Sequence, residues 1–548
     1  MAESAFAYHE PSISTILNQT GLLLVLNIVN TCLDQLLYCG LIGQLFVGIL
    51  WGTPGAKWLD RETETVIQQL GYLGLIMLVY EGGLSTSLPS LRANMYLSLA
   101  VAFTGIGVPM GLSFILMELV AATPLQAFAA GAALSATSLG TTFTILSTTG
   151  LIKTRLGTVT TSAAMLDDVV GLVMVQIISN LGGSGDSFTA VTVVRPLFVS
   201  LGFGIGVFLA CRFLMRPVLV RILAARGAFP AYTRTPQFAF LGYTCLLVGL
   251  VAGATYAGTS SLFAAYLAGV ISSWFDSLAQ DPVQGPQVSP EPTSQPAQAN
   301  QDQRRVTSGY IYEHYYHGPV NRILIPMFFA SIGFAIPITE MFSGSVVWRG
   351  LVYAVLMALG KLCTGLWLVR FSTPRSGLTA FVRILKTPLA YATYCIRRPS
   401  NKNIIDKGRN QAPQNTPAPT QENSTVTASP TSDSNNQNQT QNQNQIPTPT
   451  TTNPPTKPKS LYPASILALA MTARGEIGYL IASLAESNGI FGDTSNGSTE
   501  TYLVVVWAIS LCTLVGPICV GTLVKRVKAL QGKRGDAGGV DPLGVWGV

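Results

Sequence analysis

Two adjacent carboxylates, Asp167 and Asp168, stand in the apolar run SAAMLDDVVGLVMV. An ionisable side chain at membrane depth is costly, and where one is kept it usually serves an ion or proton path. Neighbours on a helix point about 100° apart, so the two cannot play the same part. One can face a cavity while the other reaches a neighbouring helix; a purely structural ion pair between helices is the plain alternative. Lys361, in VLMALGKLCTGLWL, is the third deep charge. It lies roughly 14 Å from the basic end of its segment at Arg370, which is long for snorkelling. A buried ammonium at that depth needs a carboxylate or loses its charge, and Asp167 and Asp168 are both candidates.

Two further constellations interrupt apolar helices. In GAALSATSLGTTFTIL the interruption is Thr137, Ser138, Gly140, Thr141 and Thr142; in LALAMTARGEIGYLIASL it is Thr472, Arg474, Gly475, Glu476 and Gly478. Singly, such residues are ordinary packing contacts between membrane helices. Jointly they say more. Interrupted helices at matching positions of two halves point to a transporter binding site. A broken helix frees carbonyls and amide ends to face an ion, and charged side chains can neutralise the exposed dipole ends. Asp168 can shield exposed N-termini, and Arg474 can pair with Glu476 beside the second break. Glu81, in LVYEGGLSTSLPSL, reads as an interfacial residue at the end of its helix.

The elements that must hold these residues follow from composition. The chain has 548 residues, 48% hydrophobic and only 11% charged, with mean hydropathy +0.40. A soluble domain carries about 25% charge, so a polytopic membrane protein is the natural class. The net charge of +7 does not indicate nucleic acid, because the basic residues sit in loops. Eight cysteines show no paired spacing, and three histidines are too few for a metal site; His314 and His317 read as incidental. No nucleophile–base or metal-ligand set suggests an enzyme, and no cofactor is expected. No cleavable leader is apparent ahead of the first apolar run.

A membrane helix needs about 20 mostly apolar residues. About thirteen such segments are predicted, at 16–37, 39–52, 65–82, 93–118, 123–149, 156–180, 190–216, 236–258, 260–275, 320–338, 346–371, 462–487 and 501–524. Taking spans 2–6 and 9–13 as five-helix halves puts each interruption in the fourth helix of its half, and an odd number of helices gives the halves opposite orientation. The predicted fold is therefore all-α, with inverted five-helix repeats and two crossing broken helices. By region, 12–279 is an N-terminal membrane half of nine spans, 318–371 holds spans 10 and 11, and 462–528 holds spans 12 and 13. Residues 280–317 and the Asn/Gln/Pro-rich 372–461 read as disordered cytosolic loops, too poor in apolar residues to offset ordering entropy. Residues 529–548 read as a cytosolic tail.

Basic loops set the orientation. With the N-terminus outside or lumenal, the inside loops hold Arg92, Lys153, Arg155, Arg221, Arg226 and Arg234, and the C-terminal side adds Lys525, Arg526 and Lys528. The outside loops are acidic, with Glu62, Glu64, Glu118, Glu340, Glu486 and Glu500. Asn496-Gly-Ser498 then faces outside as a glycosylation candidate, whereas the sequons at Asn423 and Asn438 fall inside.

The pieces SATSLGTT, LGTVTTSAAMLDDVVGL, ALGKLCTG, FFASIGFAI and TARGEIGYLIA resemble the monovalent cation:proton antiporter superfamily, second branch, in particular its sodium/hydrogen exchanger-like proteins of fungi and bacteria. The resemblance covers nearly all the chain outside 280–317 and about 372–461. It implies a homodimer in the lipid bilayer, each protomer having a mobile core of spans 4–6 and 11–13 and a static dimer domain from the rest. By motif position it makes Asp168 the carrier of cation and proton and Asp167 the partner of Lys361. Thr137 and Ser138 become oxygen ligands at the first crossing, and Arg474 and Glu476 the charged pair of the second. An Asp-Asp pair goes with electrogenic exchange in that family.

The implied activity is exchange of Na+, or alternatively K+ or Li+, for protons by an elevator-like movement. A K+/H+ antiporter of an endomembrane is the nearest alternative; a cation channel or a non-transporting ion sensor would be a different class. Plasma membrane and endomembranes are equally open to such a chain.

Overall fold

The computed structural model describes residues 10–37, 40–86, 88–181, 190–218, 221, 235–280, 307–370, 461–492, 498–532 and 542–547. Among these residues there is helix and turn but no strand. The chain opens with α1 (Ile13–Leu37), α2 (Gly40–Trp51) and α3 (Arg61–Leu84). Helix α4 (Leu88–Leu112) continues through a tighter turn, Ser113–Ile115, to Leu119. Two half-helices follow, α5 (Pro124–Ser135) and α6 (Leu139–Thr148), and then α7 (Arg155–Leu181) with the aspartate pair. Next come α8 (Ala190–Ala210), α9 (Pro236–Ala257) and α10 (Ser261–Gln280). Ser308–Ile311 opens a helical run that passes two π turns, Tyr312–Tyr316 and Val320–Leu324, and ends with Ile325–Phe334; this run, 308–334, is α11. Helix α12 (Gly344–Leu362) continues to Arg370. A second pair of half-helices, α13 (Tyr462–Ala470) and α14 (Glu476–Ser487), precedes the long α15 (Glu500–Gly532).

Local chemistry sets the starts and stops. Thr123 accepts from the Gln126 amide while the Gln126 side chain accepts from the Thr123 amide, with Pro124 in the first turn of α5. Such a reciprocal cap satisfies two of the amides a helix start leaves free. Helix α9 begins at Pro236 and stops at Gly258, which takes φ +76, a conformation that favours glycine.

Two sets of helices pack internally. Helices α1, α2, α3, α9, α10 and α11 form one; α4 to α7 and α12 to α15 form the other; they meet chiefly where α7 touches α10 and α14 touches α11. In the first set glycines bring backbones together: Gly83 lies against Gly269, and Gly48 and Gly333 hold α2 against α11. Small residues substitute here for the hydrophobic driving force that lipid does not supply. Eight described helices (α1, α4, α7, α8, α9, α10, α12 and α15) are long and apolar enough to cross a membrane. Apolar side chains such as Leu17, Phe208 and Phe213 lie exposed on α1, α8 and the turn after it.

One expectation is corrected. Residues 308–317, assigned to a disordered loop, are helical. Asp276, at the end of α10, accepts from the Ser308 amide at 2.8 Å and its hydroxyl at 2.5 Å, while Ile311 and Tyr312 are buried. Residues 123–149 and 462–487, expected as broken helices, are pairs of half-helices with extended backbone at Ala136 and Gly475. Beyond the last span α15 runs on to Gly532, and Leu543 and Trp546 are buried. Asn496, Asn423 and Asn438 lie outside the described residues.

Candidate functional site

The two breaks cross and complete each other. Between α5 and α6 and between α13 and α14, backbone groups lose their helical partners. The Ser138 amide donates to the Ala473 carbonyl at 2.9 Å. The Thr137 hydroxyl oxygen lies 3.3 Å from Met471 O, and the Thr142 hydroxyl donates to Ala470 O at 3.2 Å. Arg474 Nη1 donates to the carbonyls of Ser135 at 3.2 Å and Ala136 at 3.0 Å. Its positive charge thus sits at the carbonyl end of α5, where a helix dipole is negative. Thr513 of α15 donates to Arg474 O at 3.0 Å and fixes the second break from behind.

Gly475 is required by this crossing. A Cβ there would lie 2.6 Å from Ser138 Cβ and 2.7 Å from its Oγ. Gly475→Ala forces the strands apart, and overpacking of this kind costs about 1–3 kcal/mol. A lower melting temperature in detergent is the expected result; an unchanged one would mean that the crossing yields without cost.

Lys361 and Asp167 form an ion pair at 2.5 Å with both side chains fully buried. Thr137 joins it, donating to Asp167 Oδ2 and accepting from Lys361 Nζ, the latter at 2.8 Å. Gly105 of α4 leaves room for the ammonium; a Cβ there would approach Nζ to 3.3 Å. This triad ties α7, α12 and the first break together. Asp167 Oδ1 has no protein partner.

Asp168 faces elsewhere, as the helical turn between neighbours requires. It lines a cavity of about 360 Å³ together with Glu81, Gly140, Tyr266, His317, Asn321 and Glu476. Ser85, which caps the C-terminal end of α3, lines it too; the end at which Leu97 of α4 and Leu156 of α7, close in sequence to Arg92 and Arg155, share a cluster is the basic face. Asp168 is 7% exposed, and its Oδ1 has no protein partner. Such an oxygen is costly to leave unsatisfied in a low-dielectric site. A second cavity, of about 950 Å³, lies at the opposite, acidic face, lined by Arg61, Glu64, Gln68, Gln69, Tyr72 and Ser487 among others. Of the two cavities, Asp168 lines the first.

Arg474 and Glu476 do not pair. The guanidinium reaches the carbonyl end of α5, while Glu476 opens α14 and lines the cavity. Glu81, read from sequence as interfacial, lines the cavity and accepts from the Tyr312 hydroxyl at 3.0 Å. Tyr266 and Asn321 were missed, and His317, read as incidental, lines the cavity. The sequence signal for Asn321 was that it is a polar residue inside the apolar segment expected at 320–338.

The family pattern described as "Sodium/hydrogen exchanger, transmembrane" matches residues 23–407. The chain is 31% identical over 158 residues to the Na(+)/H(+)-K(+) antiporter GerN of Bacillus cereus, covering 29% of this chain and 40% of that protein. It is 31% identical over 185 residues to the high-affinity Na(+)/H(+) antiporter NhaS3 of Synechocystis, covering 33% of this chain and 40% of the relative. The chain thus spans 40% of the length of each of these relatives. In structure it resembles the sodium proton antiporter MjNhaP1 of Methanocaldococcus jannaschii, with a TM-score of 0.53 at 13% identity over 94% of this chain and 99% of that one. That likeness places the fold, and the match over 23–407 places the sequence: the chain is an integral multi-pass membrane protein that belongs to the sodium/hydrogen exchanger family.

Proposed function

We propose that this chain exchanges a monovalent cation for protons across its membrane, with Asp168 as the group both compete for. The observation that carries the reading is the unequal setting of the two aspartates. Asp167 is neutralised by Lys361; Asp168, one residue on, has no ion-pair partner among the described residues and lines a cavity. A bare carboxylate is too costly to carry across a low-dielectric barrier. A protonated or cation-bound one is neutral, so only loaded forms cross and exchange is obligatory. Thr137 and Ser138 supply oxygen atoms at the crossing, and the Asp167–Lys361 pair offers a second proton per cycle if the cation draws Asp167 away.

The movement that fits is an elevator-like displacement of the set α4–α7 and α12–α15 against the set α1–α3 and α9–α11, within a homodimer, with α8 packed between them on α7 and α9. Support for it is the limited contact between the two sets. Basic residues at one face and acidic residues at the other favour an N-out, C-in orientation. Sodium is the proposed substrate, in keeping with the names of the relatives; potassium is the second reading, because one of them is named for it as well.

The test is proton flux in proteoliposomes of the purified protein under an acid-inside gradient. Sodium added outside is expected to alkalinise the lumen, and the ranking of sodium, potassium and lithium names the substrate. No proton movement with any cation, from folded protein, would turn the reading to a channel or an ion sensor. Glu81 gives a second expectation. A carboxylate on the wall of the cavity raises the local cation concentration, so Glu81→Gln should raise half-saturating sodium roughly tenfold with little change in maximal rate. An unchanged sodium dependence would take Glu81 off the path.

A further inference from the structure

The last described segment, Pro542-Leu-Gly-Val-Trp-Gly547, is short, but its two large side chains are fully used. Gly544 takes φ +54, which favours glycine. It starts a single tight turn, closed by Trp546 N to Leu543 O at 3.1 Å. In a turn of three residues, positions i and i+3 eclipse, so Leu543 and Trp546 project from the same side. Leu543 is 0% and Trp546 4% exposed. Both belong to an apolar cluster with Leu151, Leu156, Ile466, Val524 and Val527. The Arg155 guanidinium lies 5.0 Å from the centre of the Trp546 ring, within reach of a cation–π attraction.

What the turn touches gives it meaning. Arg155 is the first residue of α7, the helix that carries Asp167 and Asp168. The same cluster takes in Ile145 and Leu146 of α6 and Ile466, Leu467 and Ala470 of α13, the half-helices that lead from the basic face into the two breaks. The turn therefore packs directly on the start of α7 and belongs to the apolar cluster that α7 shares with α6 and α13. Arg155 to Asp168 is about 20 Å along one continuous helix, and a helix pinned at its end moves as a rod.

We propose that residues 542–547 are a releasable clasp that pins the basic-face ends of α6, α7 and α13 and thereby holds the Asp168 site in register. The clasp is releasable because burial of two side chains is opposed by the ordering entropy of the segment that carries them. Docked, it keeps the crossing rigid and the cation ligands pre-organised. Undocked, the half-helices loosen and the site binds cation more weakly, without a change in the barrier to movement. The link to cation affinity rests on the antiport reading; the clasp itself does not.

Hydrogen exchange of the full chain tests the clasp directly. Leu543→Ala and Trp546→Ala are expected to speed exchange roughly threefold or more in peptides covering 151–165 and 462–470. Peptides from 61–84 should stay at the parent rate, and Trp546→Phe should resemble the parent. Unchanged exchange in both alanine variants overturns the clasp, as does faster exchange throughout the chain, the mark of general unfolding. In proteoliposomes the alanine variants should raise half-saturating sodium by about threefold or more at the parent's maximal rate. Faster local exchange with unaltered half-saturation overturns the link to the site. A parent that moves no protons with any cation counts against the antiport reading, and the exchange result still decides the clasp.

Discussion

Asp168→Asn abolishes cation-evoked proton movement and leaves the protein folded. The two halves of this expectation have separate causes. Asparagine matches aspartate in shape, and Asp168 Oδ1 makes no protein hydrogen bond that the change could break. Asp168 also takes no part in an ion pair among the described residues, so no buried partner is left uncompensated. The melting temperature and the elution profile in detergent should stay with the parent. Function is another matter. A cation entering a dry site without its counter-charge forfeits several kcal/mol, and each 1.4 kcal/mol is tenfold in affinity. The amide also has no proton to exchange. Flux should fall by at least roughly 10²-fold for sodium, potassium and lithium alike, because the loss is of charge and not of fit. Full activity in the folded variant would remove Asp168 from the mechanism. Loss of activity with loss of the folded peak would make it a structural residue instead.

What the sequence made legible, and what it did not, follows from how far each feature reaches along the chain. The deep charges stood out because an apolar run contains so few. Helical geometry also required Asp167 and Asp168 to face differently, but 100° of rotation does not say which way either faces; that took the positions of α12 and of the cavity. The breaks were visible as polar residues inside apolar segments. Their mutual contact was not: the Ser138 amide meets a carbonyl 335 residues away, and no local pattern encodes that. Arg474 and Glu476 were misread for a local reason. Their nearness in sequence invited pairing, but the carbonyl end of α5, over 330 residues away in the chain, takes the guanidinium instead. Glu81 was misread for a non-local one. At the end of its own helix it is interfacial, but α7, α10 and α11 close a cavity around it. The helical start of α11 did have a signal, the aromatic run YIYEHYYH. Its rings pack on Phe240 and Tyr80, yet the polar stretch before it outweighed that signal in composition.

Lys361→Ala should be the most destabilising single change at the site, and a second change should reverse it. The ammonium and Asp167 are both removed from water, and Thr137 is the other side-chain partner Asp167 has. Deleting the lysine leaves a buried carboxylate with one hydroxyl donor and an oxygen that already lacks one. Breaking one side of a buried pair costs about 3–5 kcal/mol, more than the cavity left by the lysine stem alone. Removing both charges is a different operation, because it also removes the desolvation cost that the pair carries, and such replacements are often neutral. Lys361→Ala should therefore melt well below the parent in detergent, and Lys361→Ala with Asp167→Asn should recover most of the loss. If the double variant is no more stable than Lys361→Ala, packing of the lysine stem against α4 holds this region and the charge does not. The double variant also separates stability from coupling. It retains Asp168 and its cavity, so it should still exchange cation for proton if Asp168 is the carrier. With the Asp167–Lys361 proton gone, one proton per monovalent cation remains, and flux should no longer respond to membrane potential. A double variant that is folded, active and still driven by potential would place the second proton elsewhere in the chain.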